Sequence, residues 1–249
     1  MKNKNTLSVL TAVAAFAGAT HGQLVVESFN YPDGSLVGAL NSPWITSGGT
    51  SGQVQVSSGA ITINDSDTED VAIGFGSQTS GELFASFEFS VADPVSYTGV
   101  DFEYFAHFRN DASAFISRID LAAFSASGFR VGISSNTSEA QSVWATDLAY
   151  GTTYTAVLSY SFETGSSTLW IDPVDRNSVN IVGTSLSVGE LDAFVFRQSG
   201  ATPDQSITLD NLTIDTAFPV AAVPEPSTYA ALAGLCGIAF ACIRRRLRA

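Results

Sequence analysis

The chain has 249 residues, and its composition excludes several classes of function. Residues 23–222 contain five arginines and 23 acidic residues, a net charge of −18 that disfavours nucleic acid and anionic lipid as partners. Both cysteines, Cys236 and Cys242, lie near the C-terminus, so the body has neither a disulfide framework nor a catalytic thiol.

The N-terminus has the pattern of a secretory signal peptide. Lys2 and Lys4 form a basic start, residues 7–19 are apolar, and small residues follow. We place the cleavage after Gly22, because strand-like sequence begins at Gln23, with cleavage after Ala19 as the alternative. The sequence therefore predicts an exported protein with a signal peptide over residues 1–22.

The body alternates apolar and polar residues, is rich in β-branched and aromatic side chains, and shows no helical periodicity. The predicted strands cover residues 24–29, 53–57, 60–64, 82–91, 100–108, 117–124, 128–134, 154–162, 167–172, 192–198 and 206–215. Residues 41–52 are predicted to form a long loop around Trp44. Ten or more short strands without intervening helices predict an all-β fold, an antiparallel β-sandwich over residues 23–216. Residues 217–222 form a brief linker.

The last 27 residues, 223–249, combine three features in a fixed order. Pro224, Glu225 and Pro226 favour an extended backbone. The uncharged run 229–243 would form a helix roughly 22 Å long, which is shorter than the hydrocarbon core of a bilayer. Side chains at the two interfaces can make up the difference, so the run is predicted to be a single transmembrane helix. The basic residues Arg244, Arg245, Arg246 and Arg248 follow and predict a cytoplasmic C-terminus. A buried core helix and a stiff linker are the structural alternatives for the apolar run and the proline segment.

This tail resembles the PEP-CTERM sorting signal of Gram-negative bacteria in all three parts. The resemblance implies recognition by an exosortase, a membrane cysteine transpeptidase. Pro224, Glu225 and Pro226 would be the recognition motif, and Arg244, Arg245 and Arg246 the cytoplasmic stop. The body would be transferred to the cell surface, the outer envelope or the extracellular matrix after cleavage near the motif.

Three segments of the body resemble LamG/concanavalin A-like jelly rolls in their strand and turn character. They are the opening ESFNYPDGSLVGALNSPW, the hairpin YTAVLSYSFETGSSTLWIDP and the closing SITLDNLTIDTAF. The resemblance implies a jelly-roll sandwich, and a fold alone assigns no function.

We predict no catalytic residue. Glycoside hydrolases of the concanavalin class resemble one another in a Glu-x-Asp-x-x-Glu strand, and the nearest candidates here, Asp101-x-Glu103 and Glu69-Asp70, lack the third acid. His107 is the body's one histidine, so a metal site with several histidine ligands is excluded. We expect His107 to face the surface in a structural role.

The segment from Asn64 to Asp70 is the densest acidic patch, and alternating acids in a loop suit Ca²⁺. Its spacing does not fit an EF-hand. Similar jelly rolls often bind a structural calcium, to which Asp210 and Asn211 would contribute in the folded chain. A solvated turn is the alternative, and no cofactor or metal ligand is assigned.

Trp44 and Trp144 lie in loop-like surroundings and are the candidate platforms for sugar rings. A role in the core or in anchoring a loop is the alternative for each. Trp170, between Leu169 and Ile171, is expected in the core.

We interpret the chain as an exported, surface-sorted, non-enzymatic protein that binds polysaccharide or serves as a structural component. The expected partners are an exosortase, the membrane before processing, and an extracellular polysaccharide. Two alternatives stay open: a glycan hydrolase or lyase on the same scaffold, and a tail-anchored envelope protein that is never cleaved.

Overall fold

A computed structural model describes residues 23–64, 66–94, 103–110, 115–135, 137, 139–184, 187–198 and 205–219. The predicted signal peptide and the sorting tail at 223–249, with its predicted transmembrane helix, lie outside the described residues. Within the described ranges, no helix is long and apolar enough to span a membrane.

The described residues form two antiparallel sheets. The nine-stranded sheet contains β1 (Val25–Glu27), β2 (Gly34–Ser35), β4 (Gln55–Ser57), β5 (Ala60–Asn64), β7 (Glu82–Val91), β12 (Tyr154–Ser161), β13 (Ser166–Ile171), β14 (Asn180–Thr184) and β16 (Ser206–Asp215). The seven-stranded sheet contains β3 (Ile45–Gly48), β6 (Asp70–Gln78), β8 (Glu103–Arg109), β9 (Phe115–Ser125), β10 (Gly128–Ser134), β11 (Ser142–Val143) and β15 (Leu191–Phe196). The prediction of an all-β antiparallel sandwich is confirmed.

Both sheets contain neighbouring strands that are far apart in the chain. Strand β7 lies between β12 and β16, and β15 lies between β6 and β8. The chain therefore crosses repeatedly from one sheet to the other, which is the jelly-roll arrangement rather than a simple meander.

The core fills the space between the sheets with alternate residues of each strand. In β7 these are Leu83, Ala85, Phe87, Phe89 and Val91, which are at most 1% exposed, as the alternation predicts. The Phe87 ring lies 5.2 Å from that of Phe196, across the sandwich. Edge-to-face aromatic pairs of this kind add to the stabilisation from burial alone.

Both ends of the described body lie at one end of the sandwich, which we call the tail end. Strand β1 runs antiparallel to the last part of β16, with Val25 opposite Ile214. Gln23 is therefore a neighbour of the residues that follow Asp215. The opposite end, where β5 ends at Asn64 opposite Ser206, is called the far end.

Residues after β16 fold back onto the outer face of the nine-stranded sheet. The Phe218 ring packs edge-on against Phe84 and Trp170, with ring centroids 5.6 and 5.2 Å away. Trp170 is 3% exposed, as expected for a core residue, but it is buried in this smaller outer cluster with Val157. The chain thus leaves the body from a fixed point.

Candidate functional site

Trp44 lies in the core, and the prediction that it offers a platform for sugar is wrong. It is 2% exposed and stacks between Phe29 and Phe196, with ring centroids 5.7 and 5.8 Å away. Its indole Nε1 donates a 3.0 Å hydrogen bond to Oε2 of Glu27, a buried carboxylate. This bond satisfies the one polar atom of the ring, so Trp44 can be buried in the core although the sequence around it is typical of a loop.

Trp144 is half-buried and packs against the core beside strand β10. Its backbone N–H donates to the carbonyl of Val131 at 2.8 Å. Its role as a sugar contact stays a prediction, and the structure does not bring it together with Trp44.

Two described acids of the patch 64–70, Asp67 and Glu69, are both held by hydrogen bonds from Gln53. Asp67 accepts hydrogen bonds from the side-chain amides of Gln53 and Asn64, at 3.0 and 2.8 Å. Glu69 is fully buried, and its carboxylate accepts the backbone N–H groups of Gln53 and Val54 at 2.7 and 2.8 Å. These hydrogen bonds connect the loop to the segment at Gln53, so Asp67 and Glu69 act as anchors of the loop.

Asp210 and Asn211 do not join this patch. Asp210 lies opposite Glu88, whereas Asn64 lies opposite Ser206, four positions away along β16. At roughly 3.3 Å per residue, the two groups are about 13 Å apart along the strand. No group of three or more His, Cys, Asp or Glu side chains within the described ranges could hold a metal ion.

His107 is buried, which corrects the expectation that it faces the surface. Its neighbours Ala106 and Phe108 belong to the core, so alternation directs His107 to the outer face of the seven-stranded sheet, as predicted. It is nevertheless only 1% exposed, and its ring packs 5.5 Å from Tyr104 and 5.1 Å from Phe115. Burial lowers the pKa of His107 to about 3, so the imidazole is neutral at physiological pH.

Next to His107, three strand segments assemble what we call the Tyr104 cluster: Glu103, Tyr104, Arg118, Asp120 and Arg197. Strand β8 supplies the first two, β9 the next two, and Arg197 follows β15 directly. The Tyr104 ring is held between two guanidinium groups, with the Cζ atoms of Arg118 and Arg197 4.5 and 4.2 Å from its centroid. Asp120 lies directly opposite Tyr104 in the register of β8 and β9.

The distinctive property of the Tyr104 cluster is its unused hydrogen-bonding capacity. Arg118 is 7% exposed, and its Nη2 has no hydrogen-bond partner among the described residues, although its Nε donates to Ser134 Oγ at 3.2 Å. Asp120 is fully buried, and neither of its carboxylate oxygens has a partner in that part of the chain. Buried polar atoms are nearly always paired, because leaving one unpaired costs roughly 1–3 kcal/mol.

The pKa of Asp120 is shifted in the direction expected for a buried carboxyl group. Burial raises the pKa of Asp120 to about 7, while Ser134 and Arg118 oppose this rise and the charge of Glu103 adds to it. Ser134 lies close enough to lower the pKa, but its hydroxyl accepts from Arg118 and gives Asp120 no hydrogen bond of ordinary geometry. The carboxyl of Asp120 is therefore partly protonated near neutral pH.

The rim of the cluster is open to solvent. The side chains of Arg197 and Glu103 are 24% and 23% exposed and form a long contact, 3.5 Å between Nη1 and Oε2. A crevice of about 20 Å³ opens beside them, lined by Asn64, Glu103, Tyr104, Arg197 and Gln205 among apolar neighbours. Its size admits about one water molecule or one small polar group.

A larger groove of about 460 Å³ lies along β1, lined by Asn30, Tyr31 and Asn41. Its buried carboxylate, Glu27, is already satisfied. It accepts hydrogen bonds of 2.6 Å from the backbone N–H of Phe29 and 2.6 Å from the hydroxyl of Tyr31, besides the indole of Trp44. None of the described residues that line this groove has an unpaired buried side-chain atom comparable to those of Asp120.

Sequence reasoning did not find the Tyr104 cluster as a site, because its members come from distant parts of the chain. Arg197 and Glu103 are 94 positions apart. The one usable signal is the rarity of basic residues: Arg109, Arg118 and Arg197, three of the five arginines in the body, lie close enough to His107 to lower its pKa.

Comparison with solved structures finds lectins among the similar chains. Lectin II from Ulex europaeus is 15% identical, with 70% of this chain and 93% of that chain covered and a TM-score of 0.49. The basic winged bean lectin with Tn-antigen is 11% identical, with 76% and 95% covered and a TM-score of 0.49. A sialidase is 14% identical at a TM-score of 0.49, and the match covers 76% of this chain but 19% of the sialidase chain. Similarity at this level assigns neither ligand nor activity.

A comparison with curated proteins finds no match. Residues 222–246 match the model of the PEP-CTERM protein-sorting motif. The predicted resemblance of the tail to the PEP-CTERM sorting signal is confirmed: this β-sandwich chain carries a PEP-CTERM sorting motif, which indicates an exported, surface-sorted protein.

Proposed function

We propose that the protein is a non-enzymatic component of the outer envelope or extracellular matrix that binds polysaccharide through the Tyr104 cluster. An exosortase processes its tail at Pro224, Glu225 and Pro226, with Arg244, Arg245 and Arg246 on the cytoplasmic side. The observation that carries the binding proposal is the set of unpaired buried atoms on Arg118 and Asp120, next to a rim that solvent reaches.

The chemistry of the cluster suits a sugar. Each sugar hydroxyl both donates and accepts hydrogen bonds, so guanidinium donors next to carboxylate acceptors can hold it. Arg197 and Glu103 present this pair at the rim, with the amides of Asn64 and Gln205 beside them. Phe115, 36% exposed, adds an apolar surface near Tyr104 for the C–H face of a ring. A few placed polar groups among apolar side chains are typical of binding sites.

The position of the cluster fits a protein attached through its tail. The crevice beside Tyr104 is lined by Ile207, near the start of β16, while the chain leaves the body after Asp215. These residues are eight positions apart on one strand, roughly 25 Å. The cluster therefore lies at the far end, where the point of attachment leaves it accessible to extracellular polymers.

A glycan-cleaving enzyme is the alternative, and Asp120 is the observation that favours it. A carboxyl with a pKa of about 7 close to a second carboxylate, Glu103, has the character of a general acid and its partner. Asp120 is fully buried, however, and a general acid must reach the glycosidic oxygen. Binding without cleavage therefore agrees better with the geometry.

Electrophoresis of the full chain in gels that contain different polysaccharides tests the proposal. Binding retards the wild type, and Tyr104→Leu, which removes the ring between the two arginines, should abolish the retardation. Trp144→Ala should leave it unchanged. Retardation that Trp144→Ala abolishes and Tyr104→Leu does not would place the site at Trp144. No retardation by any polysaccharide would refute binding, and release of shorter sugars by the wild type but not by Asp120→Asn would establish the enzyme.

A further inference from the structure

We infer that the Tyr104 cluster selects polysaccharides with anionic substituents, carboxylate or sulfate, and that Arg197 is the residue that contacts the anion. This inference rests on the proposed function, because it specifies the ligand of the same site. Three observations carry it: the concentration of arginines, the unused donors of their guanidinium groups, and the size of the crevice.

The cluster is a basic site on an acidic body. Residues 23–222 contain five arginines against 23 acidic residues, and three of the five lie together: Arg118 and Arg197 in the cluster, and Arg109 near His107 beside it. Arginine stays charged at every physiological pH. Of the acids beside them, fully buried Asp120 has a pKa raised to about 7, so its negative charge is weakened near neutral pH. Glu103 at the rim and the half-buried Asp70 are the other acids whose charges interact with these arginines, so positive charge exceeds negative charge among the named groups.

The guanidinium groups near Tyr104 have N–H donors that are not used in hydrogen bonds among the described residues. Arg118 Nη2 and Arg109 Nε are buried without a hydrogen-bond partner among the described residues. Among the described residues, Arg197 Nη1 makes two long contacts, 3.5 Å to Glu103 Oε2 and 3.5 Å to the carbonyl of Tyr104. By contrast, the other two arginines of the body are paired: Arg130 Nε lies 2.7 Å from Asp147, and Arg176 bonds Glu82. A planar guanidinium with free donors matches the oxygens of a carboxylate or sulfate.

The crevice beside Arg197 fits a substituent and excludes a ring. Its volume of about 20 Å³ admits one small polar group, with Asn64 and Gln205 as further amides along its wall. The sugar ring would rest on the rim, near Phe115, while its anionic group replaces Glu103 as the partner of Arg197. Glu103 thus competes with the ligand for the same guanidinium.

Three polymers with one backbone test the inference: dextran, carboxymethyl dextran and dextran sulfate. Affinity of the full chain in detergent is measured by surface plasmon resonance at two salt concentrations. We expect both charged polymers to bind at least tenfold more tightly than dextran, and the added salt to weaken binding. The stronger of the two identifies carboxylate or sulfate as the preferred group.

The variants locate the contact. Arg197→Ala should lose at least tenfold in affinity for the charged polymers, and Arg197→Lys should recover part of the loss. Glu103→Gln should increase affinity severalfold, an effect that misfolding cannot produce. Arg130→Ala, which removes an exposed arginine elsewhere, should change nothing. Tight binding of dextran equal to that of the charged polymers would refute the inference and leave the proposed function standing. An unchanged affinity in both Arg197→Ala and Glu103→Gln would refute the assignment to Arg197.

Discussion

The neutral, buried state of His107 makes a quantitative prediction for stability against pH. The folded-state pKa is lowered to about 3, whereas an unfolded histidine titrates near 6.5. Between these values the unfolded chain binds a proton that the folded chain does not bind. The stabilisation associated with His107 is therefore complete above about pH 6.5 and is lost as the pH falls toward 3.

The size of this loss follows from the two pKa values. Each pH unit below the unfolded pKa costs about 1.4 kcal/mol, so His107 reduces the free energy of unfolding by about 2 kcal/mol at pH 5. The variant His107→Asn removes the titration, and its side-chain amide can still donate to the Phe108 carbonyl, which lies 3.0 Å from His107 Nδ1. Relative to the wild type, this variant should gain about 2 kcal/mol between pH 7.5 and pH 5.

Urea unfolding of the full chain in detergent, followed by tryptophan fluorescence at several pH values, measures this difference. All three tryptophans lie in the body, and Trp44 is in its core, so the signal reports its unfolding. The reasoning would be refuted if the free-energy curves of wild type and variant ran parallel from pH 7.5 to pH 5. That result would mean that His107 keeps an ordinary pKa and is accessible to water.

Three further predictions concern Asp120, Phe218 and the tail. Because the folded-state pKa of Asp120 is raised to about 7, the wild-type free energy of unfolding should fall as the pH rises from about 4 to 7. The variant Asp120→Asn does not titrate, so it should gain up to about 4 kcal/mol relative to the wild type across that window. If the difference in free energy between variant and wild type, measured by urea unfolding, did not change with pH, the burial of an ionisable carboxyl at Asp120 would be contradicted. Phe218→Ala should lower the free energy of unfolding by about 1–2 kcal/mol, because the ring packs edge-on against Phe84 and Trp170. An unchanged midpoint of thermal unfolding would show that the residues after β16 do not pack on the sheet. The intact mass of the protein from its native cells should end near residues 223–227, with any added mass identifying the attached group, whereas a mass that includes Ala249 would mean that the tail remains as an anchor.

The fold was predictable where one face of a strand is buried and the other is not. The bounds Glu82–Val91 and Ser206–Asp215 agree with the predicted strands, because apolar and polar residues alternate over most of each strand. Strand β6 was missed. It lies inside the seven-stranded sheet, with Val71, Ala72 and Ile73 buried in succession, so no alternation marks it. The edge strand β14 was also missed.

The candidate site was not predictable from the sequence. Alternation places His107 on the outer face correctly, but it does not predict that Tyr104 and Phe115 pack against the imidazole there and that His107 is buried. Trp44 was mispredicted in the opposite direction. Its Gly- and Ser-rich surroundings are typical of an exposed loop, but the ring is buried in the core, where Glu27 accepts the indole N–H. The pairing of Tyr104 with Arg118 and Arg197 depends on strand order, which local spacing does not contain.

Mapping the contact by NMR shows whether polysaccharide binds at the Tyr104 cluster. Amide spectra of the isotopically labelled full chain in micelles are recorded with increasing amounts of an oligosaccharide cut from the polymer that the wild type binds best. We expect the largest changes in amide chemical shift at Glu103, Tyr104, Phe115 and Arg197, at the far end and on the outer face of the seven-stranded sheet. Shift changes centred on Trp144 or on the groove at Asn30 and Asn41, with the Tyr104 cluster unaffected, would contradict it.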